Sequence, residues 1–162
     1  MQSPIPGLVH SLNALKAILA KAEAHCVEKK IDPSVLMQDR LFPDMLPLWR
    51  QVTIACDNAK GAAARLGGVE NPSHPDTETT FEELRARIDK TVAFMQSVPA
   101  ENFEGAETRP IVMKFGPREV NFTGASYLSS YLMPNFYFHM TTAYNILRHD
   151  GVVLGKGDFL GG

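Results

Sequence analysis

Apolar residues recur along most of this chain at alternating steps of three and four, the spacing that gathers side chains on one stripe of an α-helix. Over 5–30, Leu8, Leu12, Leu15, Leu19, Ala22 and Cys26 keep that rhythm, Lys16, Lys21, Glu23 and Glu28 occupy the other faces, and Pro33 closes the segment. A second stripe predicts a helix over 44–66: Met45, Leu48, Val52, Ala55, Ala59, Ala62 and Leu66. Asp44 is its expected N-cap, which puts Pro47 in the first turn, where a missing N–H costs little. Gly67-Gly68 supply the stop, and the alanine-rich second half of the stripe lets a partner helix approach closely.

The polar, proline-bearing stretch 68–79 reads as a loop. Thr80-x-x-Glu83 is a capping box that opens a third helix through Phe81, Leu84, Ile88, Val92 and Met95, ended by Pro99. Between 109 and 122 the period drops to two. Ile111, Met113 and Phe115 alternate with Val112 and Lys114, Gly116-Pro117 marks a turn, and Val120 and Phe122 alternate after it, so a short β-hairpin is predicted. The last helical segment, over 123–151, aligns Leu128, Leu132, Phe136, His139, Ala143 and Ile146, with a kink or restart expected at Pro134. The glycine-rich tail beyond Gly151 is expected to drape over the body without forming a further helix.

Four amphipathic helices with one apolar stripe each bury those stripes against one another. The expected fold is therefore all-α: one domain over 1–162, a four-helix bundle with a small β-hairpin between helices three and four. The twelve residues of 68–79 reach ~40 Å when extended, and a 23-residue helix spans ~35 Å. Helix three can thus return to the far end and run parallel to helix two.

Composition narrows the function classes. A chain of 162 residues, 44% hydrophobic and 21% charged, with a formal charge of -2, is neither collagen-like, disordered nor a disulfide scaffold. It also lacks the basic excess of a nucleic-acid-binding domain. Cys26 and Cys56 fit no zinc or redox spacing and read as buried, inert thiols. The N-terminal stretch lacks the charged and apolar regions of a signal peptide, and no apolar run approaches the ~20 residues that span a bilayer. A cytoplasmic protein without membrane contact is expected.

His139 is the first candidate for chemistry. It holds a stripe position among Leu132, Phe136 and Ala143, and burying an imidazole costs free energy unless it is hydrogen-bonded or metal-bound. It is either a neutral core histidine satisfied by a neighbour, or a ligand or catalytic group. Asn135, one turn earlier, shares its face, and Gln51 flanks the second stripe close enough to face the same cavity. Asn135 is a poor transition-metal ligand because its carbonyl is neutral and hard. Asp44 is explained as a cap and Asp57 lies off its stripe, while Trp49, Arg50, Tyr137, Tyr144 and Arg148 suit either a cleft or an amphipathic boundary. Gly155-Lys156-Gly157-Asp158 is no phosphate loop, and no nucleophile motif is present.

Three stretches carry a resemblance. These are Leu41-Phe-Pro-Asp-Met-Leu-Pro-Leu-Trp-Arg-Gln-Val-Thr-Ile-Ala-Cys-Asp57, Leu132-Met-Pro-Asn-Phe-Tyr-Phe-His-Met-Thr-Thr-Ala-Tyr-Asn-Ile-Leu-Arg-His149, and the Gly-Lys-Gly-Asp-Phe-Leu-Gly tail. Together they resemble an uncharacterised bacterial family of the DinB/YfiT-like superfamily, over nearly the whole chain. The resemblance implies an up-down-down-up four-helix bundle, often homodimeric. In many members a histidine on helix two and a His-x-x-x-His pair on helix four hold a divalent metal, used in some branches to activate a small thiol. Here Gln51 and Asn135 stand at two of those positions and only His139 remains. One imidazole and two neutral amides are a poor set for zinc or nickel, since a catalytic site normally needs three good ligands. The resemblance thus implies a metal-free protein binding an unknown small molecule or partner around His139. The alternative it leaves open is a metal-dependent transferase or hydrolase.

Overall fold

The computed structural model describes residues 3–162, so Met1 and Gln2 of the N-terminal stretch lie outside the described residues. Helix α1 (Ile5–Lys29) buries the predicted stripe from Leu8 to Cys26 and ends at Lys30, which takes a left-handed φ of 56°. Pro33 does more than end that segment. Asp32 accepts a hydrogen bond from the Ser34 N–H at 2.9 Å and caps a short helix α2 (Pro33–Gln38), in which Pro33 holds the first-turn position that suits its fixed φ.

Helix α3 (Leu48–Gly67) starts later than expected, and Asp44 is not its cap. Pro47 is extended at the boundary with φ −70° and ψ 166°, and residues ahead of a proline are disfavoured in the helical region. The orphan donors are met otherwise: the Leu48 N–H donates to the Asp39 carbonyl at 2.9 Å. At its other end Gly68 supplies the left-handed cap at φ 65°. The alanine face of α3, with Ala55, Ala59 and Ala62, is fully buried.

Helix α4 (Phe81–Ser97) opens with the predicted box: Thr80 Oγ1 accepts from the Glu83 N–H, and the Glu83 carboxylate accepts from the Thr80 N–H, both at 3.1 Å. A 3-10 turn at Ala100–Phe103 follows. Strands β1 (Pro110–Phe115) and β2 (Arg118–Thr123) then pair antiparallel, with Phe115 opposite Arg118 across Gly116-Pro117. Gly116 takes φ 59°, the first-position geometry of a tight hairpin turn that favours glycine, and Pro117 is then compatible with the second.

The chain leaves β2 through a helical turn, α5 (Gly124–Ser126), a π-helical segment at Tyr127–Leu132, and α6 (Met133–His149). The restart expected at Pro134 is this π segment: a proline cannot donate to the carbonyl four residues back, and the wider turn shifts the ladder before it. The tail overturns one expectation. Lys156–Leu160 forms a further short helix, α7. Its start is held by the Asp158 carboxylate, which accepts from the Gly155 N–H at 2.8 Å and pairs with Lys21 at 2.5 Å. Phe159 meets Tyr144 edge-on, and His10 bonds the Leu160 carbonyl at 2.7 Å, seating α7 on α1 and α6.

The protein is therefore mostly helical with one two-stranded sheet, and α1, α3, α4 and α6 contribute their stripes to a common hydrophobic cluster. Among the described residues no helix is long and apolar enough to cross a membrane.

Candidate functional site

Two of the three candidate residues meet. Gln51, in the first turns of α3, is buried at 1% exposure, contrary to the half-solvated position a boundary glutamine usually takes. Its Nε2 donates to the Leu46 carbonyl at 2.9 Å. A carbonyl only accepts, so this bond sets the orientation of the amide and turns Oε1 toward α6. There Oε1 lies 2.7 Å from Nδ1 of His139. Because Oε1 also only accepts, Nδ1 carries the proton. Desolvation and then the Arg50 charge hold the His139 pKa below the ordinary histidine value, so the ring is neutral at pH 7 and its lone pair resides on Nε2. Nε2 has no hydrogen-bond partner among the described residues, yet it is not one of the buried orphan atoms, so it keeps a path to solvent.

His139 is thus half-buried at the edge of the core, not enclosed within it. Phe138, 55% exposed, stands edge-on to its ring at 5.2 Å. Arg50 stacks over Trp49 with its guanidinium carbon 5.2 Å from the ring centroid and ion-pairs with Asp76. Asn135 is half-buried, and its side chain has no hydrogen-bond partner among the described residues. Tyr144 serves to seat α7, and Arg148 is exposed.

These donors do not fit a transition metal. Both ends of the Gln51 amide are committed, Asn135 offers a neutral oxygen, and only Nε2 of His139 is a good ligand with a free lone pair. Among the described residues no three His, Cys, Asp or Glu side chains gather in a way that could hold a metal ion. The thiols offer no substitute. Cys26 and Cys56 are free and buried, and desolvation pushes Cys56 up to about 12.

A second polar cluster went unread in the sequence. Arg87, 4% exposed, donates to Asp57 at 3.0 Å, Glu78 at 2.8 Å and the Pro75 carbonyl at 3.0 Å, and lies 3.4 Å from Asp76. Lys60, also buried, pairs with the same Asp57 at 3.0 Å. His74 sits beside this network in a cavity of 250 Å³ shared with Glu83 and Lys90. Desolvation, then the charges of Lys60, Lys90 and Arg87, push its pKa down to about 4. The signal was present: Arg87 is a cation on the buried stripe of α4 between Leu84 and Thr91, and such a charge requires carboxylates from elsewhere in the chain.

A family model described as Domain of unknown function (DUF1993) matches residues 1–160. The chain is also similar to a crystal structure of a DinB family member protein from Shewanella denitrificans: 42% identity, a TM-score of 0.90, 98% of this chain covered and 89% of that one. No curated protein matches. With the whole length matched and a DinB fold reproduced at this identity, the chain belongs to the DUF1993 family, a domain of unknown function within the DinB-like superfamily.

Proposed function

We propose that this protein is a single-domain, four-helix DinB-like bundle that has given up the superfamily's three-histidine metal and binds a small molecule at His139. The helix order up-down-down-up is supported by pairs of contacts. Lys16–Asp89 and Glu23–Arg85 run α1 against α4, and Gln51–His139 and Arg65–Tyr127 run α3 against α6. Asp57–Arg87 and the approach of Gly67 to Val98 run α3 alongside α4. Homodimeric assembly and a cytoplasmic location belong to the same reading.

The carrying observation is the Gln51–His139 hydrogen bond at 2.7 Å. It holds one tautomer, so that a neutral Nε2 with solvent access is presented as a hydrogen-bond acceptor or proton acceptor. A small molecule with a polar hydrogen fits that lone pair, while Phe138, edge-on to the ring, offers apolar surface beside it. Ligand-observed NMR of a fragment set against wild type and His139→Ala tests this. Fragments bearing an N–H or O–H donor that bind wild type and lose binding in His139→Ala support it; a hit set indifferent to the substitution refutes it. Metal analysis of untagged protein tests the alternative, a metal-dependent transferase or hydrolase. Stoichiometric zinc or nickel, abolished by His139→Ala, would overturn the metal-free reading.

A further inference from the structure

A cleft of 300 Å³ opens where the second half of α3 meets the loop after it, the hairpin and the π segment. It lies apart from the Gln51–His139 pair and does not depend on the reading of it. Its walls include Lys60, Arg65 and Asn58 from α3, Asn71 from the loop, Met113 from β1 and Tyr131 from the π segment.

Three features give this cleft a preference. The first is charge. Arg65 has no carboxylate partner among the described residues; its guanidinium donates to the Tyr127 hydroxyl at 3.2 Å and lies 5.8 Å from that ring's centroid. Asp57, also on the wall, is shared between Lys60 and Arg87 at 3.0 Å each. Arg50, Lys60 and Arg87 are matched one for one by Asp57, Asp76 and Glu78 in a single ion-pair network, so the Arg65 charge on the same wall has no counter-charge among the described residues. The second is an orphan donor: Nδ2 of Asn58 is buried without a hydrogen-bond partner among the described residues. A buried unmet donor costs free energy that a ligand oxygen recovers. The third is how Arg65 is kept in place. Gly61 sits in the middle of α3, where glycine is unfavourable relative to alanine, and a Cβ there would collide with the Arg65 guanidinium. The missing side chain is the space the guanidinium occupies.

Tyr131 gives the same cleft an aromatic wall. Tyr131 stacks on Tyr127 with centroids 5.8 Å apart and leans on Phe115 and Phe122 at 5.6 and 5.9 Å. It is carried by a π segment, a distortion often found at functional sites. We infer that this cleft binds a small organic anion, its carboxylate or phosphate oxygens held by Lys60, Arg65 and Asn58 and its flat or apolar body laid against Tyr131 and Met113.

The test is a titration of the full chain with phenyl phosphate, benzoate and inorganic phosphate, followed by the side-chain N–H signals of Arg65 and Asn58. Both signals shift saturably with phenyl phosphate or benzoate, and whichever aromatic anion binds more tightly identifies the head group. Inorganic phosphate binds more weakly than the preferred aromatic anion. Arg65→Gln and Lys60→Met each weaken binding at least about tenfold, about 1.4 kcal/mol, while Lys29→Gln, remote on α1, leaves it unchanged. Should buried Lys60 not tolerate substitution, the half-buried Arg65→Gln carries the test alone. No saturable shift up to about 10 mM of either aromatic anion, or equal affinity in a folded Arg65→Gln, overturns the assignment.

Discussion

Gln51→Leu isolates the contact on which the His139 site stands. The substitution keeps most of the side-chain volume, so the main loss is polar. It removes the acceptor for His139 Nδ1–H, 2.7 Å away, and the donor to the Leu46 carbonyl, 2.9 Å away. An orphaned buried polar group costs about 1–3 kcal/mol. His139 and Leu46 are only partly shielded from water, so the combined loss falls near 2 kcal/mol. For a chain of this size that is a drop of roughly 4–8 °C in melting temperature. The sharper readout is the tautomer. In wild type, nitrogen shifts of the ring at pH 7 report a proton on Nδ1; in Gln51→Leu the proton redistributes toward Nε2. Gln51→Glu instead places a carboxylate beside Nδ1–H and raises the His139 pKa. A ring still protonated at Nδ1 in Gln51→Leu, with melting unchanged, would refute the reasoning from which the available Nε2 was derived.

Other substitutions probe the frame and its pH dependence. Gly124→Ala places a Cβ against the Ala106 carbonyl oxygen and close to Leu66, so urea unfolding should show a loss above about 2 kcal/mol, with the change in midpoint as the check. His74, held at about 4 against an ordinary 6.5, is neutral when folded but protonates when unfolded. Stability therefore falls as pH drops from 6.5 toward 4, by roughly 1–2 kcal/mol after allowance for solvent screening, and His74→Gln flattens that slope in melts at stepped pH. Asp150 moves the other way. Desolvation first, then a shared proton and repulsion with Asp39, raise it from 3.8 to about 7, so the folded state holds a proton that the unfolded chain releases. That penalty grows as pH rises from about 4 to 7, and Asp150→Asn should raise the melting temperature at pH 8 while leaving it nearly unchanged at pH 4.

The helices were legible because their signals are local. A stripe at steps of three and four, a Thr80–Glu83 box and a Gly68 stop act within a few residues, and each appears where its pattern lies. The Asp44 cap failed because two effects compete at that boundary. Proline at 47 disfavours helix in the residue before it, and the Asp39 carbonyl, at the end of α2 and beyond the reach of a helix-cap pattern, takes the first donor instead. The tail failed for the same reason in reverse. Five residues are too few to form a helix alone, and α7 exists because Lys21, Tyr144 and His10 hold it from other elements.

For the sites the division is similar. Residue type alone limited what His139 can do, since an imidazole beside two amides carries one strong donor atom wherever it lies. Tertiary structure alone decided that Gln51 would be buried, that its amide would be oriented by Leu46, and that the proton would therefore rest on Nδ1. It also brought Asp57, Asp76 and Glu78 around Arg87 and left Arg65 without a carboxylate partner among the described residues. Short-range periodicity records which face of a helix is dry. Which polar group finds which partner depends on distances between segments dozens of residues apart, and those exist only once the chain has closed on itself.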